Sequence, residues 1–144
     1  MYALHPAVVH FPIALLLLNG ALTLHHMRRP DPFVERAAYG ALLLGWWGAL
    51  AATVTGLAAA ALAWPVRPEV LGWLNWHAIA GFGVLIVYGR ALVWRRRKPD
   101  VLQGPDCRRY ALLLVAGAML IVLDGWLGGH MVYRLGVGVE LGPR

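Results

Sequence analysis

"LHPAVVHFPIALLLLNGALTL", residues 4 to 24, decides the fold. Beyond His10 it holds no charged side chain, and only Asn19 and Thr23 interrupt the apolar residues. A run of this kind can cross a bilayer, which takes about 20 apolar residues. Three more runs follow, near Ala37–Ala63, Val70–Tyr88 and Tyr110–Gly129. The chain has 144 residues, of which 60% are hydrophobic and 14% charged, so nearly all of it is membrane. In lipid each backbone polar group must be satisfied within its own segment, which makes these runs helices. They are continuous rather than alternating, which excludes a transmembrane β-barrel. The expected fold is an all-α integral membrane protein, a four-transmembrane-helix bundle forming one domain over residues 1–144. Its helices are expected at about 7–26, 37–63, 70–94 and 109–130, with a short tail over 131–144. The first helix has no basic stretch before it and no small-residue cleavage site after it, so it is expected to stay in place.

The charges are lopsided. "HHMRRPDPFVER" after the first run carries Arg28, Arg29 and Arg36. "RALVWRRRKPDVLQGPDCRR", between the third and fourth, carries Arg90, Arg95, Arg96, Arg97, Lys98, Arg108 and Arg109. Ten of the 13 Lys and Arg therefore fall on one side, leaving Arg67, Arg134 and Arg144 on the other. The positive-inside rule predicts basic loops in the cytoplasm and both termini outside, in the periplasm for a bacterial inner membrane. The net charge of +6 is then a topology and lipid-headgroup signal, and no nucleic-acid partner is expected. Trp64, Trp73 and Trp76 at one boundary and Trp94 at the other read as aromatic belts. Cys107 is the single cysteine, so no internal disulfide forms, and without a C-x-x-C-H there is no covalent haem attachment.

The chain also reads as a tandem repeat of two hairpins. The first runs from His10 through "RRPD" and Arg36 to "TGL", and the second from His77 through "RKPD" and Arg109 to "LGG". Repeats of equal orientation are related by an axis along the membrane normal. His10 and His77 would then face each other across that axis. Each lies 18 residues before an arginine, Arg28 or Arg95, which puts both about 27 Å from the basic end.

Ionisable residues inside an apolar helix are functional-site candidates, and His10 and His77 are the leading pair. Two axial imidazoles from separate helices suit haem b. The alternative metal is Cu or Zn, held by His10 and His77 together with His5 and His130; tetrahedral zinc needs its ligands about 2 Å from one point. Helices 1 and 3 are diagonal in an up-down bundle, which favours the flat macrocycle. Arg67 and Arg134 are the cations placed to pair with haem carboxylates. Asp124 is the one acid inside a run and can orient a ligand imidazole or take a proton from a quinol. The small residues of "GALAATVTGLAAAALA" (48 to 63), "GFGVLIVYG" and "LGG" suit either a flat cofactor or close helix packing. His25 and His26 read as interfacial polar residues.

"HPAVVHFPIALL" near the start and "LGGHMVYRLGVGV" near the end resemble the termini of a bacterial membrane family known as domain of unknown function 2231. The resemblance covers essentially the whole chain. It implies that the family pattern falls on His5, Pro6, His10, Pro12, His77, Gly128, Gly129, Tyr133 and Gly136, with variation at His130. Relatives linked to Rieske-type iron–sulfur domains imply a redox setting.

The leading expectation is therefore a membrane b-type cytochrome, with one bis-histidine haem near the outer face. It would carry electrons between a periplasmic redox protein, or a Rieske-type partner, and quinone or a respiratory complex. Two competitors stand beside it: a non-redox structural or assembly subunit, and a Cu- or Zn-binding membrane protein. No nucleophile–base pair of recognisable spacing supports a stand-alone catalyst. Glycine-spaced helix faces suit a homodimer.

Overall fold

A computed structural model describes residues 4–139. Its elements are four helices: α1 (Leu4–Arg28), α2 (Pro32–Leu62), α3 (Pro68–Arg97) and α4 (Cys107–Leu135). All four are long and apolar enough to cross a membrane. The last part of the expected tail, residues 140–144, lies outside the described residues.

The helices overrun the apolar segments at the ends, for local reasons. Asp31 caps α2 by accepting from Phe33 N (2.7 Å) and Val34 N (3.3 Å), and Pro32 occupies the first helical position, where its missing N–H costs nothing. Pro68 starts α3 in the same way. At the far end, the α1 and α3 helices run on through His25, His26 and Arg28 and through Arg95–Arg97, where cations meet the negative end of the helix dipole. Gly136, with φ 66°, closes α4 in the left-handed conformation that suits glycine. Between α3 and α4, Lys98 donates to Asp106 at 2.9 Å and, with Arg109 at 3.5 Å, holds that carboxyl below the usual carboxylate range.

The helices run up and down in a ring. α1 packs most extensively on α2 and α3 on α4, while α2 meets α3 and α4 meets α1 over less surface. Both hairpin turns therefore lie at one end, the arginine end, and His5 and His77 lie at the other. Leu16, Leu42, Val84, Tyr88, Leu114 and Ile121 form the core. Around it, Ile86, Leu112, Met119 and Val122 on the outer faces are each more than two-thirds exposed. Such a surface belongs in hydrocarbon rather than water.

The repeat is present, but its register differs from the expected one. Leu16 packs on Gly45 and Tyr88 on Gly117, each pair so close that a Cβ on the glycine would sit 2.7 Å from the neighbouring side chain. Both members of these pairs are related by the same 72 positions. So are His5 and His77, Leu42 and Leu114, Gly56 and Gly128, and Arg36 and Arg108, all of them identities. The two hairpins are thus related by a pseudo-twofold along the bundle, and the counterpart of His77 is His5. His10 matches Phe82, and both are exposed. The cause is helical rotation: His10 lies five residues beyond His5, about 140° around the helix.

One polar contact joins the hairpins within the apolar region without a counterpart across the axis. The Trp46 indole N–H donates to the Leu85 carbonyl at 3.1 Å, and Gly89 leaves room for the ring. Interhelical hydrogen bonds in membranes contribute about 0.6 kcal/mol on average. Trp46→Phe is therefore expected to lower bundle stability by roughly that amount, measured by steric trapping in bicelles; a loss of several-fold more would place the contribution in ring packing.

Candidate functional site

At the histidine end, α1 and α3 each send one imidazole to the pseudo-twofold. His5 Nδ1 lies 2.9 Å from the Ala52 carbonyl and 3.3 Å from Thr55 Oγ1. His77 Nδ1 lies 3.2 Å from the carbonyl of Asp124, which is the counterpart of Ala52. A carbonyl only accepts, so Nδ1 carries a proton on both rings, which in a neutral imidazole leaves the lone pair on Nε2. Neither Nε2 has a hydrogen-bond partner among the described residues. The ring centroids are 6.2 Å apart, at 71° to each other.

Each ring rests on a glycine. A Cβ on Gly56 would sit 2.9 Å from His5 Cε1, and one on Gly128 3.3 Å from His77 Cε1. Alanine at Gly56 would force the His5 ring to shift, whereas at Gly128 the His77 ring would have to give by only a few tenths of an ångström.

Asp124 breaks the symmetry. Its Oδ1 comes within 2.7 Å of His77 Nδ1, but the ring N–H is aligned on the Asp124 carbonyl instead, so this buried oxygen has no aligned donor. The carboxylate and carbonyl of one residue together clamp one nitrogen. The equivalent place beside His5 is filled by the Thr55 hydroxyl, which itself donates to Ala52 O at 2.9 Å.

A family model described as predicted membrane protein (DUF2231) matches residues 1–141. The chain belongs to this family. No curated protein matches it, and no solved structure does.

The other site residues expected in this DUF2231 chain fall in different places. The expected His10–His77 pair does not form: His10 is exposed on α1 with Nδ1 on the Pro6 carbonyl at 2.6 Å, and the ring that meets His77 is His5. His130 stacks on Trp73, with centroids 3.9 Å apart at 23°, and Trp126 tilts against it at 5.8 Å. It is engaged there rather than with the central pair. Arg67 pairs with Glu69 at 3.3 Å and donates to the Leu135 carbonyl, tying the α2–α3 loop to the end of α4. Arg134 is exposed. Among the described residues, no group of three or more His, Cys, Asp or Glu side chains is placed to hold a metal ion.

A second polar centre, at the arginine end, carries no obvious sequence signal. Arg95 Nη2 donates to Glu35 Oε1 at 3.0 Å, joining α3 to α2. His26 is buried rather than interfacial. Its Nδ1 packs on the Asp31 backbone and its Nε2 lies 3.9 Å from Glu35 Oε2. The Arg95 guanidinium also lies over the Tyr39 ring, 5.9 Å from its centroid. Arg95 opens a run of arginines that reads as topology; only its phase with Val84, Tyr88 and Leu92 marks it as inward.

Proposed function

We propose that this DUF2231 chain is a membrane b-type cytochrome whose single haem lies between His5 and His77. The observation that carries the reading is the meeting of two imidazoles from the two halves of a repeat. Each has Nδ1 tied to a helix carbonyl and Nε2 left as the free acceptor. Hydrogen bonds from the far nitrogen of a ligand imidazole to a carbonyl fix the tautomer a metal requires. The 6.2 Å between ring centroids leaves His5 and His77 as the two residues that would hold one metal ion between them. Two protein nitrogens are too few for tetrahedral zinc, whereas haem asks for two and brings its own equatorial set. Copper or zinc is the weaker reading on that ground.

Bound haem would supply reversible one-electron chemistry. The residues of the chain hold and tune it. Asp124 fixes the His77 ring and makes it a stronger donor, and Gly56 and Gly128 let both imidazoles reach the axis. Arg67 is already engaged, which leaves Arg134, among the described residues, as the cation at that end for carboxylate pairing. With ten of 13 cations toward the other end, we place the arginine end in the cytoplasm and the histidine pair on the outer side of a bacterial inner membrane. Electrons would then pass between a periplasmic redox protein and quinone or a respiratory complex.

The test is the reduced-minus-oxidised spectrum of protein made in haem-supplied cells. A Soret band is expected in the wild type and in His10→Ala, and is expected to be lost in His5→Ala and in His77→Ala. A colourless wild type with no pyridine haemochrome, or a band that follows His10 instead of His5, overturns the reading. The first result would favour a non-redox assembly subunit.

A further inference from the structure

The arginine half of the bundle contains three buried polar atoms without a hydrogen-bond partner among the described residues: Arg95 Nη1, the Tyr88 hydroxyl and Asn19 Oδ1. Their residues are 9%, 0% and 1% exposed. Hydrocarbon offers such atoms nothing, and native proteins satisfy almost all of them, with ordered water where protein does not reach. They also lie on inward helix faces in one half of the bundle. Asn19, Thr23 and His26 line the inward face of α1, and Tyr88, Leu92 and Arg95 that of α3. Asn19 and Tyr88 each lie nine residues from the end of their helix, at Arg28 and Arg97, about 13 Å into the bundle.

The hydrogen-bonding character of the three narrows the occupant. Arg95 Nη1 only donates, Asn19 Oδ1 only accepts, and a phenol does either. The charge is already balanced, because Glu35 neutralises Arg95 at 3.0 Å; an anion would add an unpaired charge in a low-dielectric core. A small neutral molecule that both gives and takes hydrogen bonds meets all three demands.

We propose that the arginine half holds internal water bound by Arg95 Nη1, Tyr88 Oη and Asn19 Oδ1, forming a hydrated pocket that reaches mid-bundle. Glu35, whose side chain is 21% exposed against 8% for Arg95, is its mouth. Buried Leu16, Val84 and Ile121 close it on the histidine side. The pocket does not depend on haem: it rests on atoms at the opposite end from the imidazole pair.

Water-edited solid-state NMR of the full chain in liposomes tests it directly. Magnetisation from water is expected to build up at the Arg95 guanidinium and the Tyr88 Cζ several-fold faster than at Ile121. Tyr88→Phe keeps the ring against Gly117 and removes only the hydroxyl, so it is expected to fold and to slow build-up at Arg95. Build-up at Arg95 and Tyr88 no faster than at Ile121 overturns the proposal. So does a Tyr88→Phe protein with unchanged build-up and a higher unfolding midpoint, which would mean that the hydroxyl had been unpaired in a dry core. An Arg95 signal that is slow to build up but shifts with chloride would put an anion there instead and overturn it equally.

Discussion

Glu35→Met is expected to destabilise the bundle by about 3–5 kcal/mol, the usual cost of leaving a buried charge without its partner. It strands Arg95, whose side chain is only 8% exposed and whose Nη2 has Glu35 as its hydrogen-bond acceptor. Arg95→Met is expected to cost less, because the carboxylate left behind is 21% exposed and can take up water. The double variant Glu35→Met/Arg95→Met is expected to recover much of what Glu35→Met loses, since apolar replacement of a whole buried pair is often neutral. Steric trapping of the four proteins in one lipid mixture gives the cycle. If the two single variants are equal and their losses simply add, the pair is a surface contact worth little, and the description of Arg95 as a buried cation is wrong.

That pair also shows where the sequence was legible and where it was not. Four long apolar runs leave little choice of fold, because only helices satisfy their own backbone in lipid. The facing of each helix is harder. In a soluble helix the polar residues mark the outside, but here the outside is hydrocarbon too. Exposed Ile86 and buried Val84 are chemically alike, so α1 offers no pattern to tell His5 from His10. Both are histidines near an apolar run, and only rotation about the helix separates them. The register of the repeat was obscured for a related reason. Geometry is retained at Gly45 and Gly117 while the side chain resting there changes from Leu16 to Tyr88, so packing outlasts identity. Basic runs near Pro-Asp turns matched more visibly and pointed to a different alignment. Arg95 was hidden by its neighbours: one inward arginine among Arg96, Arg97 and Lys98 reads as part of a solvated cluster.

The glycine contacts yield the other large effect. Gly117→Ala would place a Cβ 2.7 Å from Tyr88 Cε2, 2.8 Å from Cζ and 3.1 Å from Val87 Cγ1. Tyr88 is fully buried and its ring is flat and stiff, so the strain moves to the α3–α4 spacing. Overpacking of this kind costs about 1–3 kcal/mol, while replacing a helical glycine by alanine returns up to about 1 kcal/mol. The net expectation is a loss, and a larger substitution such as Gly117→Val deepens it by adding two methyl groups to the same contact. Gly125→Ala, on the same helix with nothing within 4 Å of its Cβ, isolates the propensity gain and is expected to be neutral or stabilising. The difference between the two alanine variants, read as unfolding free energy in bicelles, measures the steric contribution alone. Because α3 and α4 also position His77 over Gly128, Gly117→Ala is further expected to perturb the histidine end, about 11 residues or roughly 16 Å along α4. If Gly117→Ala proves as stable as Gly125→Ala, α3 and α4 do not approach closely at Tyr88. The pseudo-twofold that brings His5 to His77 then loses one of its two matching contacts.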